Sequence, residues 1–202
     1  DGSCSVLPGC ATRKYHSSRR DAFKPINQEP IAHVKIGPDG PSIEMGDAVG
    51  FDARPEAISP MMFDESTRIA QFIADAHLHP DLVEAAIDAD YDALLFHGTG
   101  LGHLPIADPQ DDSPENTRLR IMLADHCAAG GVVVVVTQAI HGPVHMDVYD
   151  KGRDQQEMGI IGHGSLCPPS SALVKLHHLL SRDEGRDAVA EGWDSDLVGE
   201  NP

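Results

Sequence analysis

Aromatic residues make up only 4% of this 202-residue chain. A packed core must therefore rest on Val, Ile, Leu, Ala and Met. No apolar run reaches the length of about 18 residues that a membrane-spanning helix needs, so none is expected. No basic stretch followed by an apolar run stands near the first residue, so no secretory signal is expected and the cytoplasm is the expected compartment. The four cysteines, Cys4, Cys10, Cys127 and Cys167, form no C-x-x-C pair and match no zinc spacing. Free thiols in a reducing compartment follow as the expectation. The chain starts at Asp1 and not at Met, which points to a processed or partial chain.

Positive charge is also in short supply. Lys and Arg total 15 against 32 Asp and Glu, a net charge of −17. A generic nucleic-acid module carries the opposite sign. The acids are spread along the chain, Asp outnumbers Glu, and lysine is rarer than arginine. This pattern fits adaptation to high salt, where mobile ions screen surface charges within about 3 Å at molar concentration.

What is present falls into distinct stretches. Residues 1–46 read as β-rich, with "PIAHVKI" and "PSIEM" flanking the turn signal "GPDG". The resulting hairpin needs a larger sheet, since two strands alone are marginal in water. Residues 47–67 mix Gly, Pro and acids without a period and read as a linker. From residue 68 to 182 the pattern changes. "RIAQFIADA" reads as a strand. "HPDLVEAAIDAD" reads as a helix with Pro80 in its first turn and an apolar face of Leu82, Ala85, Ala86 and Ala89. "DALLFHG" is a strand, and "SPENTRLRIMLADHCAAGG" is a helix capped by Ser113 and stopped by Gly130. "VVVVVTQ" fits a strand buried on both faces, and "DKGRDQQEMG" and "SSALVKLHHLLSR" read as helices. Alternation of strands and helices predicts an α/β fold with a parallel sheet flanked by helices. Residues 183–202 are acidic and weakly apolar, and an acidic surface tail is expected there.

The stretch "FHGTGLGHLP", Phe96 to Pro105, stands at the carboxyl end of a parallel strand, where ligands bind in open α/β sheets. Its glycines, Gly98, Gly100 and Gly102, have G-x-G-x-G spacing. Pro105 and Pro109 delay the next helix, so a phosphate would lack a nearby helix N-terminus. A tight turn needing positive φ is the plainer reading. Twelve histidines include the pairs His77 and His79, His97 and His103, and His141 and His145. None falls in a recognised zinc scaffold, and no metal site is expected. A polar cluster fills "ATRKYHSSRRDAFKPIN", where Arg13, Lys14, Arg19 and Arg20 stand near Ser17, Ser18 and Asp21. A lysine beside hydroxyls and an acid can hold or take a proton in an acyl transfer; a salt-bridged surface strand is the structural alternative.

Two separated stretches, "RKYHSSRRDAFKPIN" and "YDALLFHGTGLGHLP", resemble blocks of the archaeal glutamyl-tRNA(Gln) amidotransferase D subunits, members of the asparaginase and glutaminase family. "VVVVVTQAIHGPVHMDVYDKGRDQQEMGII" and "PPSSALVKL" continue the resemblance in order. It implies an asparaginase-like C-terminal domain after a β-hairpin remnant of a catalytic N-terminal domain. In that family a nucleophilic Thr, a second Thr, an Asp and a Lys release ammonia from a side-chain amide. The block that carries the lysine matches Lys14. The resemblance also implies a homo-oligomer whose C-terminal domain reaches a neighbour's active site, with Thr99 and His103 as the polar substrate or interface candidates. It implies a partner, the amidotransferase E subunit, that holds the tRNA and uses ATP and magnesium; no cofactor is implied for this chain. The family's "GGTI"-like and "HGTDT"-like threonine motifs are absent, and Thr12, Thr67, Thr99, Thr117 and Thr137 stand in other contexts. The chain is therefore expected to be the C-terminal portion of such a protein, inactive alone. The alternatives are a plain L-asparaginase and a non-catalytic binding or assembly module.

Overall fold

The structure, a computed structural model, describes residues 2–46, 60–182 and 184–202. The "VVVVV" run is β8 (Val132–Thr137), buried at every position. It pairs in parallel with β7 (Ala93–Gly98), which pairs in parallel with β6 (Ile69–Ile73), giving the order β6-β7-β8. The register sets Ile69 beside Ala93 and Ala93 beside Val132. Beyond β8, Ile161 adds one further parallel bridge: Val135 N–H donates to its carbonyl at 2.8 Å, and its own N–H donates to Val133 O at 2.9 Å.

Strand side chains alternate between the two faces, and both faces are covered. Leu94, Phe96, Val133 and Val135 pack against helices α1 (Pro80–Asp88) and α2 (Pro114–Ala128). Ala93, Leu95, Val132, Val134 and Val136 pack against α4 (Pro169–Leu180) and α5 (Arg186–Asp194). Each large apolar side chain among them contributes about 1.5–3 kcal/mol by burial, which ties both helical layers to one sheet. Helix α3 (Asp150–Glu157) follows β8 on the way to the Ile161 bridge. Among the described residues, no helix is long and apolar enough to cross a membrane.

The amino-terminal strands form two further sheets. The "GPDG" hairpin joins β4 (Ala32–Gly37) to β5 (Gly40–Met45), and β1 (Ser3–Val6) pairs with β4 as a third antiparallel strand. That third strand supplies the larger sheet the hairpin needs. A second hairpin pairs β2 (Thr12–Lys14) with β3 (Phe23–Pro25). Asn27, at φ 56°, docks this hairpin on the α/β layer: its side-chain amide donates to Leu166 O, and its carbonyl accepts from Gly142 N–H, both at 2.9 Å.

Three expectations change on this structure. Helix α1 buries Pro80, Val83 and Ala86, while Leu82, Ala85 and Ala89 face out, because β7 and α2 meet the helix one residue around from the alanine-rich face. Ser113 takes the N-cap position of α2, but its hydroxyl makes no cap bond. Asp108 instead fixes the turn ahead of the helix, accepting from Asp112 and Ser113 N–H at 2.9 Å and from the Thr117 hydroxyl at 3.0 Å. The segment after residue 183 is not a surface tail. It carries α5, with Val189 and Trp193 in the core, and ends in a buried Lys175–Glu200 ion pair at 2.8 Å. The few apolar side chains that anchor it are hidden by its acids in any average over the segment. Of the expected linker, residues 47–59 lie outside the described residues. Its end is pinned to α4: the Phe63 ring lies tilted against His177, centres 4.9 Å apart, and Asp64 N–H donates to Ser181 Oγ at 3.0 Å.

Candidate functional site at the carboxyl ends of the strands

Gly98 closes β7, and the chain turns back on itself at once. Thr99 and His103 form an antiparallel bridge, each N–H donating to the other's carbonyl at 2.9 Å. The Thr99 hydroxyl also donates to His103 O at 3.2 Å. The glycines have separate reasons. A Cβ on Gly98 would stand 2.5 Å from the Gly102 carbonyl carbon, and one on Gly102 would stand 2.7 Å from Val144 Cγ1. Gly100 has open space but φ of +51°, and Gly102 has φ of +90°. The Gly98 contact is with backbone that has nowhere to move. Gly98→Ala is expected to cost about 1–3 kcal/mol in urea unfolding; a change under a few tenths would show that this turn is looser than its packing indicates.

Residues that the sequence did not single out hold the loop. Gln155, fully buried on α3, accepts from Leu104 N–H at 2.8 Å and donates to Gly102 O at 3.0 Å. Thr137, the last residue of β8, donates its hydroxyl to Gly100 O. Gln138 donates to Ala74 O at 2.8 Å and to His97 O at 2.7 Å, fastening the ends of β6 and β7. The signal in the sequence is the polar pair Thr-Gln directly after five valines: such residues at a strand's carboxyl end stand where loops must be tied down.

The two polar loop candidates part company. Thr99 is exposed. His103 is buried, its ring set edge-on to Tyr149 at 5.5 Å and its Nε2 without a partner among the described residues. Burial, helped by the charge of Lys151, pushes its pKa down, so it stays neutral. His97, half-buried beside Gln71, is likewise pushed down by burial and by the charge of Arg13. The β2–β3 hairpin reaches this end of the sheet, where Asn27, just after it, accepts from Gly142 N–H at 2.9 Å. Arg13, Asn27, Thr137, Ala139 and Pro168 line one narrow cleft there. Lys14 is exposed on β2, paired in register with Phe23, its Nζ 5.8 Å from that ring's centre. A cavity of about 350 Å³ lies farther along α4, walled by Cys10, Thr12, Phe63, Val174 and the Lys175–Glu200 pair.

None of the three histidine pairs picked out from the sequence gathers as a ligand set. His145 instead meets Asp147 and His163, the group of potential ligand atoms close enough for one ion among the described residues. The hydrogen bonding works against a cation there. Met146 N–H donates to His163 Nδ1 at 3.1 Å, so that nitrogen keeps its lone pair and Nε2 carries the proton. Nε2 then faces Asp147 Oδ2 at 3.4 Å as a donor, and Gln156 holds the other carboxylate oxygen at 2.8 Å. A metal-bound His shows the reverse arrangement, with its second nitrogen donating.

Residues 68–191 match the glutaminase/asparaginase C-terminal domain. Curated relatives align along nearly the whole chain. The glutamyl-tRNA(Gln) amidotransferase D subunit of Methanococcus maripaludis is 31% identical over 99% of this chain and 44% of its own length. The D subunit of Methanosarcina mazei is 32% identical over 100% of this chain and 42% of its own. The chain thus spans less than half the length of these relatives. Among solved structures, L-asparaginase I of Vibrio cholerae superposes with a TM-score of 0.74 at 24% identity, over 98% of this chain and 55% of that one. The domain match takes in the parallel sheet, the glycine loop and helices α1 to α4, and the chain belongs to the asparaginase and glutaminase family through this C-terminal domain.

Proposed function

We propose that this chain is the C-terminal portion of an amidohydrolase subunit that releases ammonia from Gln, or from Asn, for tRNA-dependent amidation of Glu-tRNA(Gln). The observation that carries the reading is the alignment along 99% of the chain with relatives named as amidotransferase D subunits. The partner in this reading is an E subunit that holds the tRNA and uses ATP and magnesium. The chemistry is acyl transfer. A Thr hydroxyl, supplied by a segment outside this chain's 202 residues, attacks the amide carbonyl while Lys14 holds its proton. The C–N bond breaks, ammonia leaves with that proton, and water hydrolyses the ester. Lys14 suits the role because no carboxylate is paired with it among the described residues. In this reading Thr99, exposed at the strand end, is the loop residue offered to the incoming segment.

The assembly reading has an observation of its own. Val6, Ile36, Ile43 and Met45 project from one face of the β1-β4-β5 sheet, and Ile36 is 72% exposed. A further domain or protomer seated there removes that apolar surface from water. The two readings are compatible if the seated domain brings the nucleophile.

The test is ammonia release from Gln and from Asn by the purified chain, in molar potassium chloride and in dilute buffer. The expected result is none above the buffer rate. Steady release by the chain alone would contradict the reading, since none of its threonines stands in the family's nucleophile context. High salt is expected to raise the unfolding temperature, because the charge of −17 repels itself less when screened.

A further inference from the structure

The charge of this chain is distributed unevenly. Residues 12–25, the β2–β3 hairpin, hold five of its fifteen Lys and Arg residues and a single acid, Asp21. The hairpin is net +4, and the rest of the chain is −21. Elsewhere most cations are already engaged: Arg118 with Asp81 and Glu84, Arg120 with Asp154, Arg153 with Asp150, Lys175 with Glu200. On the hairpin, Asp21 faces both Arg19 and Lys24, so one acid answers two cations, and Arg13 and Arg20 have no acidic partner among the described residues.

The hairpin has two faces. Directly opposed residues of an antiparallel pair share a face, and neighbours alternate. Lys14 and Phe23 are opposed on one side. Arg13 and Lys24 are opposed on the other. Tyr15, whose N–H donates to Ala22 O at 2.6 Å, returns by alternation to the Arg13 side. Within this chain Tyr15 is 42% exposed. The turn is held in shape by His16, whose Nδ1 accepts from the N–H groups of Ser18 and Arg19 at 3.1 Å, and it holds Arg19 and Arg20 out in solvent. Exposed cations interleaved with an exposed aromatic are what a strand of nucleic acid needs: phosphates meet the cations and a base stacks on the ring.

We propose that the Arg13–Lys24–Tyr15 face of this hairpin, with Arg19 and Arg20 at its tip, is an RNA-contacting surface. Phosphates lie along the cations, and an unpaired base lies on Tyr15. The opposite face, with Lys14, is left to the amide chemistry. The proposal rests on the amidotransferase reading for the choice of RNA among polyanions; the charge pattern alone asks for a polyanion. It also resolves a conflict of sign, since a chain of this acidity repels nucleic acid everywhere except at such a finger.

The test is binding of a short fluorescein-labelled oligouridylate to the whole chain, read by anisotropy between about 50 and 200 mM salt. Binding is expected at the low end, weakening steeply with salt. Arg20→Ala with Lys24→Ala is expected to raise Kd at least tenfold and to lower the salt slope by roughly 0.7 for each phosphate no longer neutralised. Tyr15→Ala is expected to weaken binding about 5- to 100-fold with the slope unchanged, the mark of a missing base stack. Lys35→Ala with Arg182→Ala removes equal charge elsewhere and is expected to leave Kd within about twofold. Circular dichroism of each variant separates loss of binding from loss of fold. Absence of binding at low salt overturns the proposal. So does equal weakening by the two double variants, and so does polyglutamate binding as tightly as RNA, which would mark the finger as a seat for an acidic protein. Ammonia release is not read in this experiment, so its failure leaves the amidohydrolase reading standing, and the reverse holds as well.

Discussion

Lys175→Met is expected to destabilise the fold by about 3–5 kcal/mol in urea unfolding, the usual cost of breaking a buried ion pair from one side. Lys175 is 4% exposed and Glu200 2%, and their charged groups meet at 2.8 Å. The ammonium also donates to the carbonyls of Trp193 and Ser195, and the carboxylate accepts from Leu197 and Val198 N–H, at 3.1 and 2.7 Å. The pair therefore clamps the last residues of the chain over α4 and α5. Burial alone would raise the Glu200 pKa. The hydrogen bond from Lys175 and the backbone N–H groups outweigh it and hold the carboxyl at about 2, against an ordinary 4.5. The sign follows. A carboxyl whose folded pKa lies below its unfolded one lends stability that is fully present above the unfolded value and is lost as pH falls through the folded value. The contribution of Glu200 is thus expected whole at pH 7 and fading between about pH 4.5 and 2. Glu200→Gln should be clearly less stable than the parent at pH 7, and the gap should narrow in that acid range. A loss below about 1 kcal/mol for Lys175→Met, or a gap that does not change with pH, would mean that the clamp is not formed in solution.

The parallel sheet was legible because its signals are local and mutually consistent. Five consecutive β-branched residues at Val132 to Val136 leave little choice but a strand covered on both sides, and Pro114 and Gly130 punctuate the helix before it. The alternation of elements supplied the topology. The burial face of α1 was not legible, since Leu82 and Val83 are both apolar and only the packing of the helix against α2 and the sheet decides which one turns inward. The carboxyl-terminal segment resists reading for a related reason. Its average is acidic, while its structure hangs on Val189, Trp193 and one carboxylate whose lysine partner lies 25 residues earlier. Long-range pairing of this kind leaves no periodic trace. The site shows the same division. The glycine loop announced itself at a strand end, but its supports, Gln155 and Thr137, come from elements that only the folded chain brings to it. His103, attractive in the sequence as a polar loop residue, is buried, its ring edge-on to the exposed Tyr149.

The second large effect concerns Lys14. It is exposed on a short strand, its Nζ stands 5.8 Å from the centre of the Phe23 ring, and it has no acidic partner among the described residues. Its replacement should leave stability within about 0.5 kcal/mol, as for surface positions without special contacts. Its proposed task is to hold the proton of a threonine hydroxyl, and loss of a positioned acid–base group costs about 10²- to 10⁴-fold in rate. The combination of an intact fold and lost turnover separates a reacting group from a structural one. The measurement that tests the account most directly is kcat for ammonia release from glutamine by this chain joined to the threonine-bearing segment, with Lys14 and with Lys14→Ala, at matched folded fraction. The account predicts a fall in kcat of at least about a hundredfold with an unchanged unfolding midpoint. Turnover by Lys14→Ala within about twofold of the parent would contradict it and remove this chain from the chemistry of the amide.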